Sequence, residues 1–258
     1  MDMVLAIFRK ELKGFLMSPG FYFCCFAVAV VMSWMFPSSL SMFAAQMQNS
    51  QFAPHMAQGP QANIHYGVFL RHLSQLNLLL ILVVPVFTMK LFAEEKKLRT
   101  FDLLLTSPVT SAQIVIGKYL AALGAIGFIC LLALLYPMST LMFTKIDWAP
   151  LLIASLGIFL IGAVYAAMNL FCSAMTESII VACVTSVIMN VGVWFLGVGV
   201  EVFDGPTVRK VFEHISLNQH LVAIVEGTVR TSSLIYFGSL IALFCFMSER
   251  VVESTRWR

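Results

Sequence analysis

The 258-residue chain (28.6 kDa) is 60% hydrophobic and 11% charged, with a mean hydropathy of +0.90, whereas soluble domains are roughly 45–50% apolar and about 25% charged. A water-soluble globule cannot hide that much apolar surface. Lipid must be the solvent for most of it, which excludes soluble enzymes, nucleic-acid binders and disordered tails, and a net charge of +3 is too small to call for a polyanionic partner.

Along the chain, Val4, Phe8, Leu12, Phe15 and Leu16 recur at helical spacing, while Arg9, Lys10 and Lys13 lie off that stripe. The pattern predicts a helix over residues 1–20 lying in the headgroup layer, its cations toward anionic lipid, or else a charged leader to the first crossing. Six apolar runs follow, at 21–45, 73–92, 119–143, 148–172, 179–200 and 232–247. Most are long enough for a transmembrane helix, and the last is shorter. Pro85 and Pro137 fall inside runs, where neighbouring helices must re-satisfy the carbonyls they free. No short alternating segments suit a membrane β-barrel. The expected fold is therefore an all-α polytopic membrane protein with six transmembrane helices. The charged segment before the first run is too long for a signal-peptide n-region, so that run is expected to stay uncleaved. With six crossings and both termini in the cytoplasm, the inside receives eleven of the sixteen Lys and Arg residues, which favours that orientation.

Gln46–Tyr66 has no charged residue and contains Pro54, Gly59 and Pro60, so it reads as an irregular external loop. His55, His65 and His72 with Met42, Met47 and Met56 suggest soft-metal chemistry, but their spacing fixes no coordination geometry and no metal is expected. Cys24, Cys25, Cys130, Cys172, Cys183 and Cys245 lie in apolar stretches and read as packing residues. Residues 93–118 form a charged cytosolic elbow, just inside the membrane. Glu94, Glu95, Lys96, Lys97 and Arg99 open it, a short apolar helix runs from Phe101 to Leu105, and Ser107-Pro108 ends that helix. Thr110-Ser111-Ala112-Gln113 then fits a capping box, so a new helix should start there and run into the third span. Residues 201–230 read as an external re-entrant segment: Asp204-Gly205-Pro206 signals a turn and Ser216-Leu217-Asn218-Gln219 a second capping box, with Gly227 at a C-cap position. Asn77, Asn169 and Asn190 suit hydrogen bonds between spans, and Gly162, Ala166 and Ser173 give a small-residue face for close packing.

Catalytic signatures are missing. Gly117-Lys118 is followed by Tyr119, and position 112 is Ala112, so a Walker A loop fails twice; no H-E-x-x-H or G-x-S-x-G occurs. An energy source would have to lie in another subunit, and the chain itself is expected to be no enzyme.

The stretch from Leu91 to Leu120, LFAEEKKLRTFDLLLTSPVTSAQIVIGKYL, resembles the signature of ABC-2-type transporter permeases and is closest to the gliding-motility GldF-like type. Glu94, Glu95, Lys96, Leu103, Leu104, Leu105, Thr106, Pro108, Gln113, Ile114, Val115, Gly117 and Lys118 match it. Leu98-Arg99 stands where that family often has Ser then Gly, and Asp102 where Glu is usual. The opening Arg9-Lys10-Glu11-Leu12 and the Arg-rich tail extend the resemblance. It implies a permease subunit of an ATP-driven exporter in the bacterial inner membrane. A second permease copy, identical or paralogous, would face it, and a cytosolic ABC ATPase would dock on the elbow. The contact residues would be Glu94, Glu95, Lys96, Arg99, Phe101, Leu103, Leu104, Leu105, Thr106, Pro108, Thr110 and Gln113, with Glu94, Glu95 and Lys96 linking the elbow to the N-terminal helix. ATP and Mg²⁺ would be used by the ATPase, with no cofactor in this chain, and an accessory subunit with an external domain would be a separate protein. The competing expectations are a structural scaffold of an envelope complex that moves no solute, and a metal-handling membrane protein.

Overall fold

The computed structural model describes residues 2–52, 63–101, 109–140, 148–202, 211–212, 214–225 and 230–256, and among them the regular structure is helical throughout. Helix α1 (Asp2–Met17) is followed by α2 (Pro19–Phe52). A π-helical turn at His65–Phe69 leads into α3 (Leu70–Thr88) and then α4 (Lys90–Lys97). Next come α5 (Ser111–Ser139), α6 (Trp148–Met175) and α7 (Ile179–Val202). The short α8 (Leu217–Val225) and the long α9 (Thr231–Arg256) complete the order. Among the described residues, six stretches are long and apolar enough to cross a membrane: α2, π turn through α4, α5, α6, α7 and α9. The protein is an all-α, multi-pass membrane protein.

α6 is the axis of the bundle. Ile161–Leu170 is buried without interruption, and α3, α4, α5, α7, α8 and α9 all pack on this helix. Its small residues make that possible. A Cβ on Gly162 would stand 2.9 Å from Ile126 of α5, and one on Gly157 would stand 2.9 Å from Ile224 of α8, so both glycines are required by close approach. The lipid-facing character of the outer helices is plain on α2, where Phe21, Cys25, Val28 and Met32 are buried while Phe23, Phe26 and Trp34 are exposed.

α1 is a separate helix, turned at Ser18 and followed by Pro19, whose fixed φ suits a first helical position. It packs along α5: Ile7 lies where a Cβ of Gly117 would be, at 2.8 Å, and Leu12 lies 2.9 Å from a Cβ on Gly124. Phe15 then joins Phe87 edge-on (5.7 Å) and Phe21 (6.5 Å) at the corner between α1, α2 and α3. Leu16 stays exposed, and Ile7 takes its place on the inward stripe. The expectation of an irregular loop from Gln46 needs correction. α2 continues to Phe52, because Ala44–Met47 are helix-compatible and no Gly or Pro intervenes before Pro54. Residues 53–62 lie outside the described residues. The final helix likewise runs past its apolar stretch to Arg256. In the 201–230 segment, α8 starts after Ser216, whose Oγ accepts from Gln219 N at 3.3 Å; Asp204, Gly205, Pro206 and Gly227 lie outside the described residues.

Pro85 and Pro137 each have the freed carbonyl capped from another helix. Pro85 cannot donate to Ile81 O, and Nδ2 of Asn190 on α7 donates to that oxygen instead, at 3.2 Å. Pro137 cannot donate to Ala133 O, and His72 of α3 donates Nε2–H to it at 3.0 Å. In hydrocarbon an orphaned carbonyl costs more than in water, so these contacts stabilise both helices at their prolines. We expect Asn190→Leu to lower stability by about 1–2 kcal/mol through that orphaned carbonyl. Introduced into a Pro85→Ala background, which restores the backbone N–H, the same change should cost markedly less. Thermal unfolding of the four members of the cycle in detergent checks the coupling.

Candidate coupling site

Three separated sequence motifs meet at one point. Glu11 and Lys10 come from α1, Glu95 from the end of α4, and Lys118 from α5. Lys118 is only 1% exposed. Its Nζ lies 3.0 Å from Glu11 Oε1 and 2.9 Å from Glu95 Oε2, donates to Leu91 O at 2.6 Å, and stands 5.2 Å from the Phe92 ring centroid. Lys10 closes the ring from the solvent side, 2.9 Å from Glu95 Oε1 and 3.3 Å from Glu11 Oε1. Two cations and two anions therefore alternate, and the cluster is neutral as a whole. Burial pulls the Lys10 ammonium down, but its hydrogen bond to Glu95 and the nearby Glu11 charge outweigh this and hold it above the ordinary lysine range. Gly117, next to Lys118, gives α1 the room to come close enough for Glu11 to reach.

α4 is tied on its other side as well. Lys96 turns away from α1 and donates to Ala174 O in the last turn of α6, with Nζ 5.5 Å from the Phe101 ring; a cation at a helix C-terminus is favourably placed. Ser173 of α6 bridges the α3–α4 junction: its hydroxyl donates to Met89 O (2.8 Å) and accepts from Phe92 N and Ala93 N (3.2 Å each). Of the three residues expected to link the elbow to the N-terminal helix, Glu95 makes that link and Lys96 holds α6. Glu94 lines a cleft that α1 also borders.

α4 ends in a Schellman turn. Arg99 N donates to Lys96 O (3.1 Å) and Thr100 N to Glu95 O (3.0 Å), and Arg99 itself sits at φ 55°. That is a left-handed conformation glycine adopts freely, so the arginine is strained where a glycine would not be. Phe101 then buries its ring edge-on to Phe92 at 5.9 Å. Leu103, Leu104, Leu105, Thr106 and Pro108 lie outside the described residues. The chain re-emerges with Val109 buried. Thr110 caps α5 as expected: Gln113 N donates to Thr110 Oγ1 (3.3 Å) and Thr110 N donates to Gln113 Oε1 (3.1 Å). Ser111 donates to Glu253 of α9. A groove of about 690 Å³ opens beside the elbow, lined by Lys96, Lys97, Arg99, Glu177, Ser178 and Thr255.

The metal-handling expectation finds no centre among the described residues, where no group of three His, Cys, Asp or Glu side chains stands ready for an ion. His72 is committed to Ala133 O, and His55 and Met56 lie outside the described residues. Sequence reasoning missed the pairing of Lys118 with Glu11. The signal was present, because a lysine opening an apolar span needs a counter-ion.

Two outcomes follow. Lys118→Met strands two partly buried carboxylates, and a loss of about 3–5 kcal/mol is expected, as for breaking a buried ion pair; the exposed Lys10→Met should cost under about 1 kcal/mol. Unfolding midpoints of the two variants separate them. Arg99→Gly relieves the left-handed strain and should be neutral to stabilising, by up to about 1 kcal/mol, read the same way.

A comparison with known families matches the description "ABC-2 family transporter protein" to residues 5–202, from α1 to the end of α7. No curated protein matches the chain. The match spans well over half of the sequence and contains the whole charge cluster, so the chain belongs to the ABC-2 family of transporter proteins, as a membrane subunit.

Proposed function

We propose that this protein is the permease half of an ATP-driven exporter of the GldF-like type, seated in a bacterial inner membrane with both termini in the cytoplasm. A cytosolic ABC ATPase docks on the elbow at residues 93–118 and supplies the ATP and Mg²⁺ chemistry. A second permease, identical or paralogous, completes the bundle. An accessory subunit with an external domain belongs to the same assembly. The substrate is an envelope molecule, or the complex transmits force to envelope machinery.

The observation that carries this reading is the anchoring of α4. Its last two turns are tied to α1 and α5 through Glu95, to α6 through Lys96 and Ser173, and closed by a Schellman turn. A push on the elbow therefore reaches α1, α5 and α6 at once through α4 instead of bending a loop. The cationic groove beside it, with Lys96, Lys97 and Arg99 against Glu177, offers an acidic surface of the ATPase a place to seat. Leu103, Leu104 and Leu105 supply the apolar contact. α1 acts as the return link, carrying the movement into the corner between α2 and α3 through Phe15.

Leu103→Asp with Leu104→Asp is expected to abolish co-purification of the ABC ATPase while membrane insertion stays normal. Retention of the ATPase at full stoichiometry overturns the docking role. Labelling a single cysteine placed at Thr106 from the cytoplasmic side, and not from the outside, is expected; the reverse overturns the orientation.

A further inference from the structure

A cleft of about 660 Å³ lies between α1 and the α3–α4 wall, beside the charge cluster, a size within the roughly 300–1,000 Å³ of small-molecule sites. Its chemistry is graded. On one wall Val86, Lys90 and Glu94 follow at four-residue spacing, so they form one stripe with steps of about 6 Å. The stripe runs from apolar to cationic to anionic. At its apolar end stand the rings of Phe15, Phe21 and Phe87. Opposite, a Cβ added to Gly14 of α1 would meet nothing within 4 Å.

Lys10, Glu11, Glu95 and Lys118 neutralise one another, so the remaining charges on the lining are Lys90 and Glu94, one of each sign. A free anion would meet Glu94 and a free cation Lys90. An amphiphile that carries a tail, then a negative group, then a positive one matches the stripe in order and sign.

We propose that this cleft is a binding site for one zwitterionic glycerophospholipid with a primary amine, of the phosphatidylethanolamine class. Its acyl chain lies against Val86, Phe87 and Phe21, its phosphate pairs with Lys90, and its ammonium donates to Glu94. An anionic phosphatidylglycerol headgroup leaves Glu94 facing hydroxyls and a net negative ligand. The site stands on the cleft and its charges and does not depend on the docking of an ATPase.

The test is native mass spectrometry of the full chain, stripped of lipid in detergent and titrated separately with phosphatidylethanolamine and phosphatidylglycerol. Phosphatidylethanolamine should bind about tenfold more tightly, the scale of one charge-assisted hydrogen bond. Glu94→Gln should remove that preference. Gly14→Phe and Val86→Trp fill the cleft from opposite walls, and each should weaken phosphatidylethanolamine binding by about tenfold or more. Leu78→Trp, at an exposed position on α3 away from the cleft, should leave it unchanged. Equal or tighter binding of phosphatidylglycerol by the unaltered chain overturns the proposal, as does undiminished phosphatidylethanolamine binding when both cleft-filling variants are tested.

Discussion

A lysine with 1% of its surface exposed, at the start of an apolar helix, is the constraint around which the N-terminal end of this bundle is arranged. An ammonium taken out of water has to be paired and hydrogen-bonded or it does not stay charged. Lys118 meets that demand with two carboxylates from different helices, a backbone carbonyl and an aromatic face. Each partner imposes a placement. Glu11 fixes the rotation of α1, and Glu95 fixes the end of α4. The Leu91 carbonyl fixes the depth at which α5 passes them. Gly117 follows from the same demand, since a side chain there would hold α1 away.

The result is a rigid frame in which helices remote in sequence share their polar contacts. α6 takes part without a charged side chain. Its terminal carbonyl at Ala174 receives Lys96, and the Ser173 hydroxyl bridges the α3–α4 junction. Small residues on α6 let its neighbours come close enough for such short side chains to reach. Apolar burial alone cannot specify such an arrangement in lipid, where the surroundings are as apolar as leucine. Close packing and a few polar contacts do that instead.

Some of this could be read directly from the residues. The Thr110 cap depends only on a four-residue pattern, and it forms where the pattern stands. The apolar spans depend on composition over about twenty residues, which a linear reading sums well. For contacts between distant segments the residues show only that a partner is needed, as at Lys118, and not which one it is. Nothing in the opening Arg9-Lys10-Glu11-Leu12 says that Glu11 meets a lysine 107 positions later. The departure at Arg99 was visible as a letter where a glycine is common, but its meaning needed the backbone angle. Lack of charge together with Pro54, Gly59 and Pro60 points to a loop after Ala45, whereas helix propensity carries α2 on to Phe52. His72 invited a metal reading because its actual partner is a main-chain oxygen, which no side-chain pattern reveals.

The borrowed hydrogen bonds at Pro85 and Pro137 have a mechanical corollary. Ile81 takes its donor from α7, and Ala133 takes its donor from α3. If α7 slid past α3, or α3 past α5, a carbonyl would be stripped of its donor in a medium that offers no substitute. The three helices are therefore yoked in series: α7 to α3, and α3 to α5. Any alternation of shape in this subunit has to carry the trio as one body, with α2 and α9 fastened to α5 by side-chain hydrogen bonds of their own, from Tyr136 to Ala29 O and from Ser111 to Glu253.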